Sequence, residues 1–237
     1  MYSAVISASP PKLTAVSHMG NKAERCRREM TKTINGKTIL STPFTEEDIQ
    51  ALHAGDVIYI NGDIVTGRDD VHIRVVKEGM DLPVDISGMA LMHAGPIVKG
   101  SEESGFEVIA IGPTTSMRME KFEYDFIKKT GVKLIIGKGG MSDRTAEACR
   151  VFGTVHCVLP AGNAVFTALC VEKINGVEWL DLGMPEALWS MRVKGLGPLI
   201  VTIDTSGRNL FAEQKKKIAD CKEEQIEVIS KQLESIL

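Results

Sequence analysis

Apolar residues along this chain recur at two spacings, and the alternation between them predicts the architecture. Thr45-Glu46-Glu47-Asp48 approximates a capping box, so a short helix is expected to Leu52 and to end at Gly55-Asp56. The run "VIYINGDIV" predicts a hairpin, with Asn61-Gly62 as a tight turn between β-branched strands. Gly67-Arg68-Asp69 then leads into a helix through "DDVHIRVV". Further on, "FEVIAIG" reads as a strand, Arg118 to Lys129 as a helix with Met119, Phe122 and Phe126 on one face, and Gly131 as its C-cap. "VKLIIG" is the next strand, Asp143 to Phe152 a helix closed by Gly153, and "TVHCVLP" another strand. Asn163 to Ile174 reads as a further helix, closed by Asn175-Gly176. "PLIVTID" adds a late strand, and Ile226, Ile229, Leu233 and Leu237 give the C-terminal helix an apolar stripe. Strand and helix in alternation predict an α/β fold with parallel βαβ units and right-handed crossovers.

Composition narrows the function classes. With 237 residues, 43% hydrophobic and 25% charged, the chain is long enough to bury roughly 70% of its unfolded surface. The net charge of -3 carries no basic excess of the kind nucleic acid or an anionic membrane selects. No apolar run approaches the ~18 residues of a membrane span. Residues 1–29 differ from the rest, with five basic against two acidic side chains and several Ser and Pro, and are expected to be a disordered N-terminal extension ahead of a domain over 30–237.

Five cysteines, Cys26, Cys149, Cys157, Cys170 and Cys221, lack any C-x-x-C pair or metal-site spacing to histidine and suit free thiols in a reducing compartment. The histidines show neither H-E-x-x-H nor a paired spacing, so each is expected to be an ordinary core or surface residue.

Two turns carry the candidate chemistry. In sheets with parallel strands, ligands gather where a strand's carboxyl end passes into a helix, because unpaired N–H groups and the positive dipole end meet there. The turn Gly112-Pro113-Thr114-Thr115-Ser116-Met117-Arg118 offers hydroxyls and a cation; Gly137-Lys138-Gly139-Gly140 offers close backbone approach and another cation. Arg68 follows a strand of its own. Singly, each has a plain structural explanation: the threonines as helix caps, Arg118 as a surface residue paired with a distant acid, Lys138 as a loop lysine, the glycines as a tight turn. GKGG is not a P-loop, since Gly139 stands where Ser or Thr is required. Jointly, three cations beside strand ends describe a cradle for a small dicarboxylate.

The strings "GDVIYINGDIVTGRD", "HAGPIV", "GPTTSMRME", "GVKLIIGKGGM", "LPAGNAV", "MPEALW" and "GPLIVTID" resemble the beta subunit of two-subunit iron-sulfur hydro-lyases, the family of L(+)-tartrate dehydratase and class I fumarase. The similarity runs from about Met30 to about Lys217, and Ser116-Met117 ahead of Arg118 looks nearer to tartrate dehydratase. The resemblance implies a swivelling β/β/α domain with a mixed, partly parallel sheet. It further implies a [4Fe-4S] cluster carried by a separate alpha subunit, a hetero-oligomer active only with that partner, and a cytoplasmic setting. By the same resemblance Arg68, Thr114, Arg118 and Lys138 match the substrate-facing positions, with Thr114 as the base, and water is eliminated from a 2-hydroxy dicarboxylate. A fumarate hydratase beta subunit, a non-catalytic dicarboxylate-binding module and a phosphate- or nucleotide-binding α/β domain are the alternatives.

Overall fold

The structure, a computed structural model, describes residues 31–34, 37–101 and 103–234. The N-terminal extension therefore lies outside the described residues, as does Leu237 of the terminal stripe. The strands are β1 (Thr31–Ile34), β2 (Lys37–Ser41), β3 (Val57–Thr66), β4 (Ala90–Met92), β5 (Ile97–Ser101), β6 (Gly105–Ala110), β7 (Leu134–Gly137), β8 (Val155–Val158), β9 (Val171–Glu178) and β10 (Leu188–Ile203). The α-helices are α1 (Glu46–Gln50), α2 (Asp69–His72), α3 (Glu120–Thr130), α4 (Asp143–Phe152), α5 (Ala164–Leu169) and α6 (Leu210–Glu234). A π-helical segment, Ile73–Lys77, continues α2.

Eight strands form one mixed sheet in the order β1-β2-β3-β4-β7-β8-β10-β9. Strands β2, β3, β4, β7 and β8 run parallel to one another, as the strand–helix alternation predicts for β7 and β8, and β1 pairs antiparallel with β2. The 16-residue β10 runs antiparallel to all its partners: β3 along one edge, β9 through its first half and β8 through its second. Because β10 also joins β8 to β3, the central strands close into a ring.

Side chains alternate across the ring's wall and build a core on each side. Outward, Val65, Leu91 and Ile135 pack against Val71 of α2, Phe126 and Ile127 of α3 and Ala148 of α4. Inward, Ile64, Met92, Leu134, Ile136, Val155 and Cys157 meet Trp189, Met191 and Leu199 of β10. Trp189 is fully buried, and its indole N–H donates to the Met184 carbonyl at 2.8 Å, which secures the loop entering β10.

Several local signals perform as read. Thr45 and Asp48 form a reciprocal capping box at the start of α1. Gly131 and Gly153 close α3 and α4 in the left-handed conformation that glycine adopts without a Cβ penalty.

Three expectations are corrected. "VIYINGDIV" is one continuous strand, not a hairpin, because β10 supplies a partner along almost its whole length. Asn61 accepts a bond from the bulged Gly195 amide at 2.7 Å, and Gly62 lets Thr42 approach where a Cβ would strike its hydroxyl. The predicted helix from Asn163 to Ile174 stops at Leu169, and Val171–Glu178 is an edge strand containing Asn175-Gly176. Val171, Ile174 and Val177 pack on the inner core, and the helix-like three-residue spacing arises from two register shifts against β10. Finally, "FEVIAIG" is a strand but stands outside the parallel series: β6 pairs antiparallel with β5 in a separate two-stranded sheet and is half exposed.

Candidate active site

The carboxyl ends of β3, β4 and β7 lie side by side, and the four predicted residues are distributed over them. Arg68 follows β3 at the residue preceding α2. Lys138 follows β7. Thr114 and Arg118 lie on the segment after β6, which crosses these ends: the Thr114 amide donates to the His93 carbonyl beyond β4 at 2.6 Å, and the Lys138 amide to the Thr114 carbonyl at 3.0 Å. The Ser116 amide returns a bond to the Lys138 carbonyl at 3.0 Å. Pro113 bridges Ala94 and Thr115 bridges Lys138, so the segment is stitched to two strand ends at once.

Glycine permits this closeness. A Cβ on Gly137 would collide with the Ser116 hydroxyl and stand 3.3 Å from His93 Nδ1. On Gly95 a Cβ would lie 2.8 Å from Arg68 Nη1, which places the guanidinium against the turn after β4.

Both arginines already hold carboxylates. Arg68 Nη2 is 3.1 Å from Glu186 Oε1, with side-chain exposures of only 20% and 18%. The other oxygen of Glu186 accepts from the Asp70 amide at 3.2 Å, so this acid, from "MPEALW", fixes both the guanidinium and the start of α2. Among the described residues the buried Arg68 Nε has no hydrogen-bond acceptor. Arg118 meets Asp69 fork to fork, Nε to Oδ1 at 3.1 Å and Nη2 to Oδ2 at 2.8 Å. With Arg118 51% exposed, solvent screens that pair and it adds little stability. A guanidinium has five N–H donors, so each arginine keeps some for a ligand. Lys138 is in no ion pair among the described residues. The threonines are not helix caps: Thr115, preceding the 3-10 turn Ser116–Arg118, makes no side-chain cap bond.

Arg118 is thus a half-exposed residue paired with a distant acid, as its plain reading expects, while the pairing of Glu186 with Arg68 and a buried cluster around Glu123 were not anticipated. Glu123 of α3 is fully buried, with one oxygen 3.4 Å from His72 Nε2 and 3.3 Å from His93 Nε2. Burial opposes its charge, but His93 and His72 more than offset that cost and hold the carboxyl well below the usual carboxylate range. His72 and His93 are core residues, as expected, but the two share one buried acid, a grouping that the lack of a paired spacing in the sequence did not suggest.

The thiols among the described residues do not suit a resident iron-sulfur cluster. Cys149 and Cys157 are fully buried, and burial pushes both thiols up, away from the thiolate that iron binds. Cys170 is partly buried beside α5 and Cys221 lies exposed on α6. Among the described residues the metal-capable grouping is His72, His93 and Glu123, which contains no cysteine. No described helix is long and apolar enough to cross a membrane.

Comparison with known proteins adds to this geometry. The sequence model of the Fumarase C-terminus family matches residues 12–214. The chain is 51% identical over 193 residues to the L(+)-tartrate dehydratase subunit beta of Escherichia coli (strain K12), covering 81% of this chain and 96% of that one. It is 40% identical over 178 residues to a putative L(+)-tartrate dehydratase subunit beta of Methanocaldococcus jannaschii, covering 73% and 91%. A putative class I fumarate hydratase of Geobacillus stearothermophilus is 41% identical over 177 residues, but these span 75% of this chain and 34% of that longer protein.

Proposed function

The chain belongs to the Fumarase C-terminus family, and from that premise we propose that it is the beta subunit of a hydro-lyase that converts L(+)-tartrate to oxaloacetate with an alpha-subunit partner. The observation that carries the reading is the gathering of Arg68, Thr114, Arg118 and Lys138 on adjoining strand ends, in a chain that covers 96% of a separate beta subunit. The reading as a fumarate hydratase beta subunit has less support, since the fumarate hydratase relative is a far longer protein of which this chain covers a third.

The reaction removes a proton from one hydroxyl-bearing carbon and hydroxide from its neighbour. The electron pair of the broken C–H bond becomes the C=C bond, and the resulting enol tautomerises to the ketone. Arg68, Arg118 and Lys138 grip the carboxylates; at ~4 Å each ion contact contributes about 4 kcal/mol at an effective dielectric of ~20, before desolvation is subtracted. As the proton leaves, charge spreads onto the adjacent carboxylate, and the same cations stabilise it more than they stabilise the ground state. Thr114 acts as its alkoxide, favoured by Lys138 and by the N–H donors that Arg68 and Arg118 keep free, and becomes the hydroxyl on taking the proton. A [4Fe-4S] cluster carried by the alpha subunit would supply a Lewis acid for the departing hydroxyl.

Anaerobic co-expression with a cluster-bearing alpha subunit tests the reading. Oxaloacetate formed from L-tartrate at a kcat/KM at least ten times that for fumarate and malate is expected. The reverse preference would make the complex a fumarate hydratase. Dicarboxylate binding without turnover would leave a non-catalytic module, and affinity for phosphate esters alone would remove the dicarboxylate site.

A further inference from the structure

We infer that Glu123, acting through His72 and His93, is a positioning residue that locks the Arg68 turn and the Thr114 turn into a single register. The inference rests on the assignment of those turns to substrate, and it deepens that assignment by naming what holds them.

The connections are continuous. From Glu123 Oε2 one path runs to His72 Nε2 at 3.4 Å, and His72 Nδ1 donates to the Arg68 carbonyl at 2.7 Å. The other runs to His93 Nε2 at 3.3 Å, and His93 Nδ1 lies 3.1 Å from the Ser116 hydroxyl, two residues from both Thr114 and Arg118. The His93 carbonyl also receives the Thr114 amide at 2.6 Å. One carboxylate oxygen thus reaches both turns, and all four of these side chains, Glu123, His72, His93 and Ser116, are fully buried.

The Arg68 carbonyl has no proton to give, so the bond between them is donated by His72 Nδ1. Stacking on Phe126, with centroids 4.2 Å apart, fixes the His72 ring, and His93 meets that ring edge-on at 5.2 Å.

Stability does not explain this arrangement. Both contacts exceed the about 2.7–2.9 Å of a strong charge-assisted bond, and among the described residues neither Glu123 oxygen, nor His72 Nε2, nor His93 Nε2 has a hydrogen-bond partner, so the link is an ion-pair contact. A buried, incompletely satisfied ion pair is commonly no more stabilising than apolar side chains of the same volume. What apolar residues would not supply is one charged oxygen in contact with the side chains that hold both turns, which must present their own side chains to one ligand.

Glu123→Gln tests this, because it keeps the shape and removes the charge. In the reconstituted complex kcat for tartrate is expected to fall by about 100-fold, the scale of a 1 Å misplacement, with KM changed less than tenfold and the thermal midpoint within a few degrees of wild type. Glu123→Asp is expected to recover part of kcat. In the full chain without its partner, nitrogen-15 spectra are expected to show the backbone amides of Arg68, Thr114 and Ser116 shifted in Glu123→Gln while those of β9 stay in place; this readout needs no turnover, so it stands even if the wild-type complex proves inactive on tartrate. A lowered midpoint with unchanged kcat would make the cluster merely structural and overturn the inference. So would one equivalent of a divalent metal in the purified wild type that Glu123→Gln lacks.

Discussion

Thr114→Ala is expected to lower kcat for tartrate by about 10²–10⁴-fold in the reconstituted complex, with KM held within a few-fold. The split follows from the role. A base acts only as the C–H bond breaks, so its loss is felt in the transition state and hardly in the bound ground state. The backbone at Thr114 is held by bonds to His93 and Lys138, neither of which involves its side chain, so alanine leaves the turn in place. An unaided threonine hydroxyl is a poor base, and the cations on both flanks are what the account requires to activate it. Retention of most turnover in Thr114→Ala would show that the proton goes elsewhere and that Thr114 only positions substrate.

Arg68→Ala is expected to cost about 2–5 kcal/mol, roughly 30-fold to several-thousand-fold in kcat/KM, and to raise KM as well. Two effects combine. The substrate carboxylate loses its cation, and Glu186, at 18% exposure, is left without the guanidinium that neutralises it and now repels the substrate. Removing the second charge with Glu186→Gln in the same chain is therefore expected to recover part of the loss, a coupling that a double-mutant cycle reads directly. Arg68→Lys is expected to rescue poorly, because an ammonium does not span Glu186 and a ligand as a planar fork does. Equal kcat/KM in Arg68→Ala and wild type would remove Arg68 from the site.

How much of this was legible depended on how far apart the interacting residues lie in the chain. The capping box of Thr45 and Asp48, the closing glycines Gly131 and Gly153, and the β7-α4-β8 unit are decided by neighbours, and the sequence pattern predicts them. Asn61-Gly62 has the chemistry of a tight turn, yet Gly62 pairs with Val193, more than a hundred residues on, and a long-range partner outweighs a local preference. The edge strand β9 was hidden for a related reason: its bulges shift the apolar spacing from two toward three, the signature of a helix turn.

The site divides in the same way. Arg68, Thr114, Arg118 and Lys138 stand out because each sits in a glycine- or hydroxyl-rich turn after an apolar run, and the family resemblance names them together. Asp69 could be read only as a helix-start acid, and Glu186 only as a loop acid, until the fold brought Arg118 and Arg68 to them. Glu123 was the least legible. On the helix pattern it is a polar position beside Phe122, and nothing local signals that it points inward at two histidines from other elements.

The most direct measurement is a crystal structure of the anaerobic alpha–beta complex with L-tartrate or a non-reacting dicarboxylate bound. One ligand is expected, with its carboxylates within about 3 Å of nitrogen atoms of Arg68, Arg118 and Lys138, and with the Thr114 hydroxyl facing the carbon that loses its proton. A dicarboxylate seated elsewhere, with Arg68 still paired only to Glu186 and Arg118 only to Asp69, would contradict that expectation.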